Sequence, residues 1–215
     1  MFLCWSAKGG SGTTVVSAAL SLVLSHQRPT LLVDLAGDAP AALGLPEPAG
    51  PGLGDWLAST TADAAALLRL VVPATDTLQL LPSGSVPVDR ASPRLPALAA
   101  ALQQLGHAVV IDAGTGVPPA ELFTAATHRL IVTRPCYLSL RRAVASGLQP
   151  TGIVLVGEPG RALQSRDVER ALHAPVMAEV EYDPSVARSV DAGLLAARLP
   201  RSLSHSLASS TRAAA

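Results

Sequence analysis

Short apolar runs that end in a carboxylate or a turn alternate along this chain with longer stretches of helical spacing. Phe2 to Trp5 carries no charge, Thr30–Asp34 reads TLLVD, Leu78–Leu81 reads LQLL and Ala108–Asp112 reads AVVID. Leu130–Thr133, Thr151–Val156 and Pro175–Val180 continue the series. Uninterrupted apolar runs of this length suit parallel strands covered on both faces. Between them, apolar spacing predicts helices over about Thr14–Ser25, Ala62–Leu70, Leu95–Leu105, Pro118–Ala126, Leu138–Ser146 and Arg161–Leu172, and from Asp183 toward Leu195. Gly106 ends one of these as a glycine just past a helix would. The alternation predicts an α/β fold, doubly wound, with a mostly parallel sheet of about seven or eight strands and helices on both faces. One domain is expected over residues 1–197. Ala39 to Pro51, rich in Pro, Ala and Gly, reads as an irregular loop, and Gly52 to Leu57 opens a short helix. Arg198 to Ala215 is low in complexity and reads as a flexible tail, although Leu199, Leu203 and Leu207 recur every four residues.

The densest signal is at the start. An apolar strand breaks at Gly9, Gly10 and Gly12, and a helix begins at Thr13 and Thr14. Strand, glycine loop and helix start make a phosphate cradle: successive N–H groups turn inward and the helix dipole favours an anion. A threonine hydroxyl in the first helical turn can meet a Mg²⁺ held between phosphates. Lys8, at the mouth of this loop, is the only lysine in the chain. Two further strands end in carboxylates at the edge where such a fold takes its ligands, Asp34 and Asp112. Asp112, after four apolar residues, has the outline of a Mg²⁺-binding strand end.

Lys8-Gly9-Gly10-Ser11-Gly12-Thr13-Thr14 resembles the deviant Walker A motif KGGxGK[ST] of the ParA/MinD family of P-loop ATPases. Segments similar to the family's follow in its order: GLGDWL at residues 52–57, LPSG at 81–84, VVID at 109–112, SLRRA at 139–143 and the stretch from Asp183 to Ala187. The resemblance spans Leu3 to about Ala196. It implies ATP and Mg²⁺ as cofactors, with Gly9, Gly10, Ser11, Gly12, Thr13 and Thr14 around the phosphates and Thr14 and Asp112 at the metal. Pro135, in the turn after Leu130–Thr133, and Asp183 are further nucleotide-contact candidates, Asp183 beside the adenine. The catalytic residues it implies are Lys8, which would reach across a nucleotide-dependent homodimer to the partner's phosphates, and Asp34, the first Asp of the family's D-x-D. Implied partners are a localisation or partition protein, with DNA or a membrane as the surface. The implied role is a positioning switch for chromosome partitioning, septum placement or pilus and secretion-apparatus localisation. The chain departs from the pattern at Thr13, where the second lysine belongs, and at Ala36, where the second Asp belongs; Asp38 lies nearby. Some pilus-localisation members, of the CpaE/TadZ-like branch, have atypical loops. Hence the alternative: a degenerate scaffold, keeping the fold and hydrolysing little ATP.

Composition narrows the picture in three ways. Formal net charge is zero, so no generally basic surface for nucleic acid or membrane is indicated, only a local patch at most. Cys4 and Cys136 are far apart and match no metal spacing, which suits a reducing, cytoplasmic setting. No apolar run reaches the roughly 20 residues of a membrane span.

Overall fold

The computed structural model describes residues 1–212. In chain order the elements are β1 (Phe2–Ser6), α1 (Thr13–Ser25), β2 (Thr30–Asp34), α2 (Ala39–Leu43), α3 (Leu53–Ala58), α4 (Ala64–Leu68), β3 (Val72–Pro73), β4 (Leu78–Leu81) and α5 (Leu95–Gln104). There follow β5 (Ala108–Thr115), α6 (Ala120–Ala125), β6 (His128–Thr133), α7 (Tyr137–Ala145), β7 (Gly152–Val156), α8 (Ser165–Leu172), β8 (Val176–Val180), α9 (Pro184–Asp191) and α10 (Arg201–Arg212). Among the described residues the strands form one sheet of eight in the order β3-β4-β2-β5-β1-β6-β7-β8. All neighbours are parallel except β3 and β4. The doubly wound, mostly parallel sheet that the alternating pattern predicts is the one observed.

Both faces of the sheet are covered, which is why its strands read as continuous apolar runs. One core layer joins Trp5, Val33, Ile111 and Ile153 to Trp56, Leu98, Leu140 and Val168, so the stretch from α3 to α8 covers this face. The other joins Cys4, Leu32, Val110 and Val154 to Leu20, Leu24, Leu43, Leu203 and Leu207 of α1, α2 and α10. Helix α1 is buried over nearly its whole circumference, between the sheet and α10. Its serines fit there because their hydroxyls bond back to the helix: Ser17 Oγ to Thr13 O at 2.9 Å and Ser21 Oγ to Ser17 O at 2.8 Å.

The structure corrects three expectations. The stretch 198–215, expected as a flexible tail, contains α10, with Leu203 and Leu207 fully buried against α1 and β8. Burying each leucine favours the packed helix by about 1.5–3 kcal/mol, which low sequence complexity does not cancel. The same domain therefore continues past residue 197; residues 213–215 of the expected tail lie outside the described residues. Second, β5 does not stop at Asp112 but runs to Thr115, because Thr115 pairs with Ser6 and Gly116 N–H donates to Ser6 O at 2.8 Å. Third, the loop expected from Ala39 begins with α2, whose start is fixed by Asp34.

The chain leaves β1 toward β2 on one side, and after β5 it crosses β1 to reach β6 on the other. The crevice of this topology therefore opens beyond the carboxyl end of β1, where the glycine loop lies.

Candidate functional site

Gly10 and Gly12 hold left-handed backbone, at φ 77° and 88°, which turns the chain tightly from β1 into α1. Ser11 is buried and its hydroxyl donates to Lys8 O at 2.7 Å, closing the loop on itself. A methyl built on Gly9, Gly10 or Gly12 would meet no atom within 4 Å, so the loop faces open space. The first N–H groups of α1 have no partner within the helix. Lys8 stands at the rim, its ammonium donating to Gly9 O at 3.3 Å. Thr13 is buried at the helix start, and Thr14 is half-buried beside it.

Asp34 and Asp112 are opposite each other in the β2–β5 register, both fully buried. They behave differently. Both oxygens of Asp34 are committed: Oδ1 accepts from Ala36 N at 3.0 Å and Gly37 N at 2.8 Å, and Oδ2 from Ala39 N at 3.0 Å. Burial pushes its carboxyl above the usual range, and those three N–H groups pull it back. Asp112 has one bond, Gly114 N to Oδ1 at 3.0 Å, while its buried Oδ2 has no hydrogen-bond partner. Burial, helped by the charge of Asp34, pushes its carboxyl up to about 6, against the nearby hydroxyls of Thr14 and Ser17 and the Gly114 N–H. An unsatisfied buried oxygen is costly unless something polar meets it. An oxygen-only set of Thr14 and Asp112, at the inner end of an open N–H cradle, fits Mg²⁺ bound with a phosphate.

Next to the loop, a cavity of about 310 Å³ runs from Gly12 along α1 to α9. Val15, Val16, Val156, Val180, Val186 and Leu203 make it apolar, and Arg134, Tyr182 and Asp183 stand among its polar or amphipathic walls. Asp183 caps α9: its Oδ1 accepts from Ser185 N at 2.8 Å, and Oδ2 accepts from the Ser202 hydroxyl of α10 at 2.6 Å. These bonds, the Ser202 hydroxyl first, hold its carboxyl down to about 2. Pro135 is buried but does not line the cavity; the residue before it, Arg134, does, and its Nε is buried without a hydrogen-bond partner. Thus the structure brings Gly9 to Thr14 together with Asp112 and, across the neighbouring cavity, with Asp183. Arg134, Tyr182 and Leu203 are among the lining residues outside the set expected from the sequence. For Leu203 the four-residue leucine spacing was the available signal; for the other two there was none.

Both cysteines are free thiols. Burial pushes Cys4 up to about 12, so it packs as an apolar side chain beneath the loop. Among the described residues no group of three His, Cys, Asp or Glu could hold a metal by itself, and no helix is long and apolar enough to cross a membrane.

No protein-family model matches the chain, and no curated protein matches it in sequence. Solved structures do match. The MinD cell division protein of Aquifex aeolicus superposes with a TM-score of 0.80 at 19% identity, over 100% of this chain and 96% of that one. The chain has the fold of the MinD and ParA ATPases. The septum site-determining protein MinD from Pyrococcus horikoshii, complexed with Mg-ADP, gives 0.78 at 20% identity over 99% and 95% of the two chains. A ParA-family ATPase from Chlorobium tepidum gives 0.77 at 21%, over 96% and 95%. Identities this low carry the fold, and the chemistry has to be argued from the residues.

Proposed function

We propose that this protein is a ParA/MinD-like positioning switch that binds ATP with Mg²⁺. The observation that carries the reading is Asp112 Oδ2, buried without a partner below an open glycine cradle. The N–H groups of Gly9 to Thr14 would hold the phosphates, Thr14 and Asp112 the Mg²⁺, and the apolar cavity bounded by Val16, Val186 and Leu203 the base. Asp183 takes part by fixing α9 and α10 as walls, since both its oxygens are already bonded. Mg²⁺ held there would supply positive charge to offset that of the phosphates. Lys8, outside the cradle, is placed to serve a second subunit: at the rim it adds little to a monomer, whereas between two subunits it would be desolvated against phosphate. The cargo would be a localisation or partition protein. The Pyrococcus MinD holds Mg-ADP, in keeping with the proposed ligand.

Calorimetry with ATP and Mg²⁺ tests the reading. Binding that weakens when Mg²⁺ is withdrawn and when Asp112 is replaced by Ala is expected; no binding at millimolar ATP would overturn it.

A second reading, a scaffold that binds ATP but turns it over little, is favoured by three features. Thr13 lacks the ammonium, Ala36 lacks a carboxylate to orient water, and the oxygens of Asp34 are spent on backbone N–H groups. Phosphate release measured on protein saturated with ATP separates the two readings.

A further inference from the structure

The phosphate end lacks the charge that Thr13 fails to supply, yet a cation outside the motif stands there. Arg90 comes from the connection between β4 and α5 and donates from Nη2 to Ala113 O at 2.7 Å and from Nη1 to Thr115 O at 3.3 Å. It thereby lies over Gly114, at the end of β5. A methyl on Gly114 would sit 3.0 Å from Ala36 Cβ and 3.5 Å from Arg90 Nη2. One spot thus collects the guanidinium, the strand end two residues past Asp112 and the loop two residues past Asp34. Ser6, from which the glycine loop departs, reaches the same strand end through contacts of its Oγ with Gly114 O at 3.4 Å and Thr115 Oγ1 at 3.2 Å.

The segment carrying Arg90 is anchored upstream. Asp55 accepts from Gly52 N at 2.8 Å, from Ser85 N at 3.2 Å and from the Ser85 hydroxyl at 3.1 Å. Two carbonyls use two of the five N–H groups of the guanidinium, leaving the others to donate. Among the described residues the ion pair observed is Arg161 with Glu158, so Arg90 is not ion-paired with a carboxylate there. At Ala36, where a carboxylate would stand beside it, there is a methyl. An anchored guanidinium outside any such ion pair, at the ligand edge of the sheet, is suited to phosphate oxygens.

We infer that Arg90 binds the terminal phosphate of a nucleoside triphosphate, supplying the positive charge that Thr13 does not. The inference rests on the nucleotide reading of this site. It assigns to Arg90 a discrimination between tri- and diphosphate, because the strand end it guards lies beyond the Mg²⁺-facing Asp112.

The test is calorimetry with a slowly hydrolysed ATP analogue and, separately, with ADP. Arg90→Gln keeps an amide donor for the carbonyls and removes the charge. It is expected to weaken the analogue about tenfold to a hundredfold and to leave ADP within about twofold. Ala36→Asp, which leaves Arg90 in place and gives it an acid, is expected to weaken the analogue too, and to add nothing further in the Arg90→Gln background. It also carries the test if Arg90→Gln does not fold. Equal loss for both nucleotides, or no loss for the analogue, would overturn the inference while leaving the nucleotide reading standing. A parent protein that binds neither nucleotide would overturn both.

Discussion

The two ends of the candidate site are built on opposite plans. The phosphate end is one continuous segment, Lys8 to Thr14, plus one strand end with Arg90 over it, and its groups are backbone N–H, hydroxyl, carboxyl and the two cations Lys8 and Arg90. The base end is assembled from α1, the ends of β6, β7 and β8, α9 and α10, and its working surface is mostly aliphatic. At the phosphate end a buried acid is left unsatisfied, with its pKa pushed up to about 6. At the base end the acid Asp183 is doubly bonded and pulled down to about 2. The contrast separates two uses of a carboxylate. Asp112 leaves one buried oxygen open, which suits the proposed ligand, and Asp183 is a clasp that ties α10 to α9.

The largest effect expected from breaking this contrast is at the base end. Leu207→Ala removes a buried leucine of α10 and should cost about 2–5 kcal/mol of stability, read as a lower denaturant midpoint; an unchanged midpoint would mean that α10 does not belong to the core.

Asp112→Asn should act in the opposite direction. The folded acid titrates near 6 rather than the ordinary 3.8, so its neutral form is the favoured one. Its contribution to stability is full below about pH 4 and is lost as pH rises through about 6. At pH 7 the ligand-free protein should therefore gain up to about 3 kcal/mol on substitution, with a much smaller gain at pH 4, and Mg²⁺-dependent ATP binding should fall. Thermal melts at the two pH values, with and without nucleotide, check both signs.

Thr13→Lys adds an ammonium to a cradle that is already open, and should tighten ATP by about 1.5–3 kcal/mol. If the variant folds and calorimetry shows no gain, the loop is not a phosphate cradle.

The smallest expected effect on monomer binding is that of Lys8→Ala, about 0–1 kcal/mol, although nucleotide-dependent dimerisation, followed by light scattering with an ATP analogue, should be lost. A variant that dimerises like the parent would remove the reaching role of Lys8.

The sequence by itself determined whatever is local or periodic. Runs such as TLLVD and AVVID declared the parallel strands, because a strand covered on both faces admits no polar alternation. Gly9 to Thr14 declared the cradle, because the turn needs glycine at Gly10 and Gly12 and its ligands are backbone N–H groups a few residues apart. Tertiary structure alone decided the rest. Leu203 and Leu207 looked like parts of a polar, low-complexity tail until α1 and β8 supplied a surface to bury them. Arg134 and Arg90 looked like any of the arginines until the sheet edge brought one to the cavity wall and the other over Gly114. The difference between Asp34 and Asp112 was likewise invisible in two strands that both end in Asp. It arises because the chain turns sharply after β2, aiming three N–H groups at Asp34, whereas β5 continues past Asp112 through an irregularity at Ala113 and Gly114 that turns one N–H onto Oδ1 and leaves Oδ2 bare. A side chain's chemistry is written in its residue type, but its unpaired atoms and its charged neighbours are set by distant segments that only folding brings together.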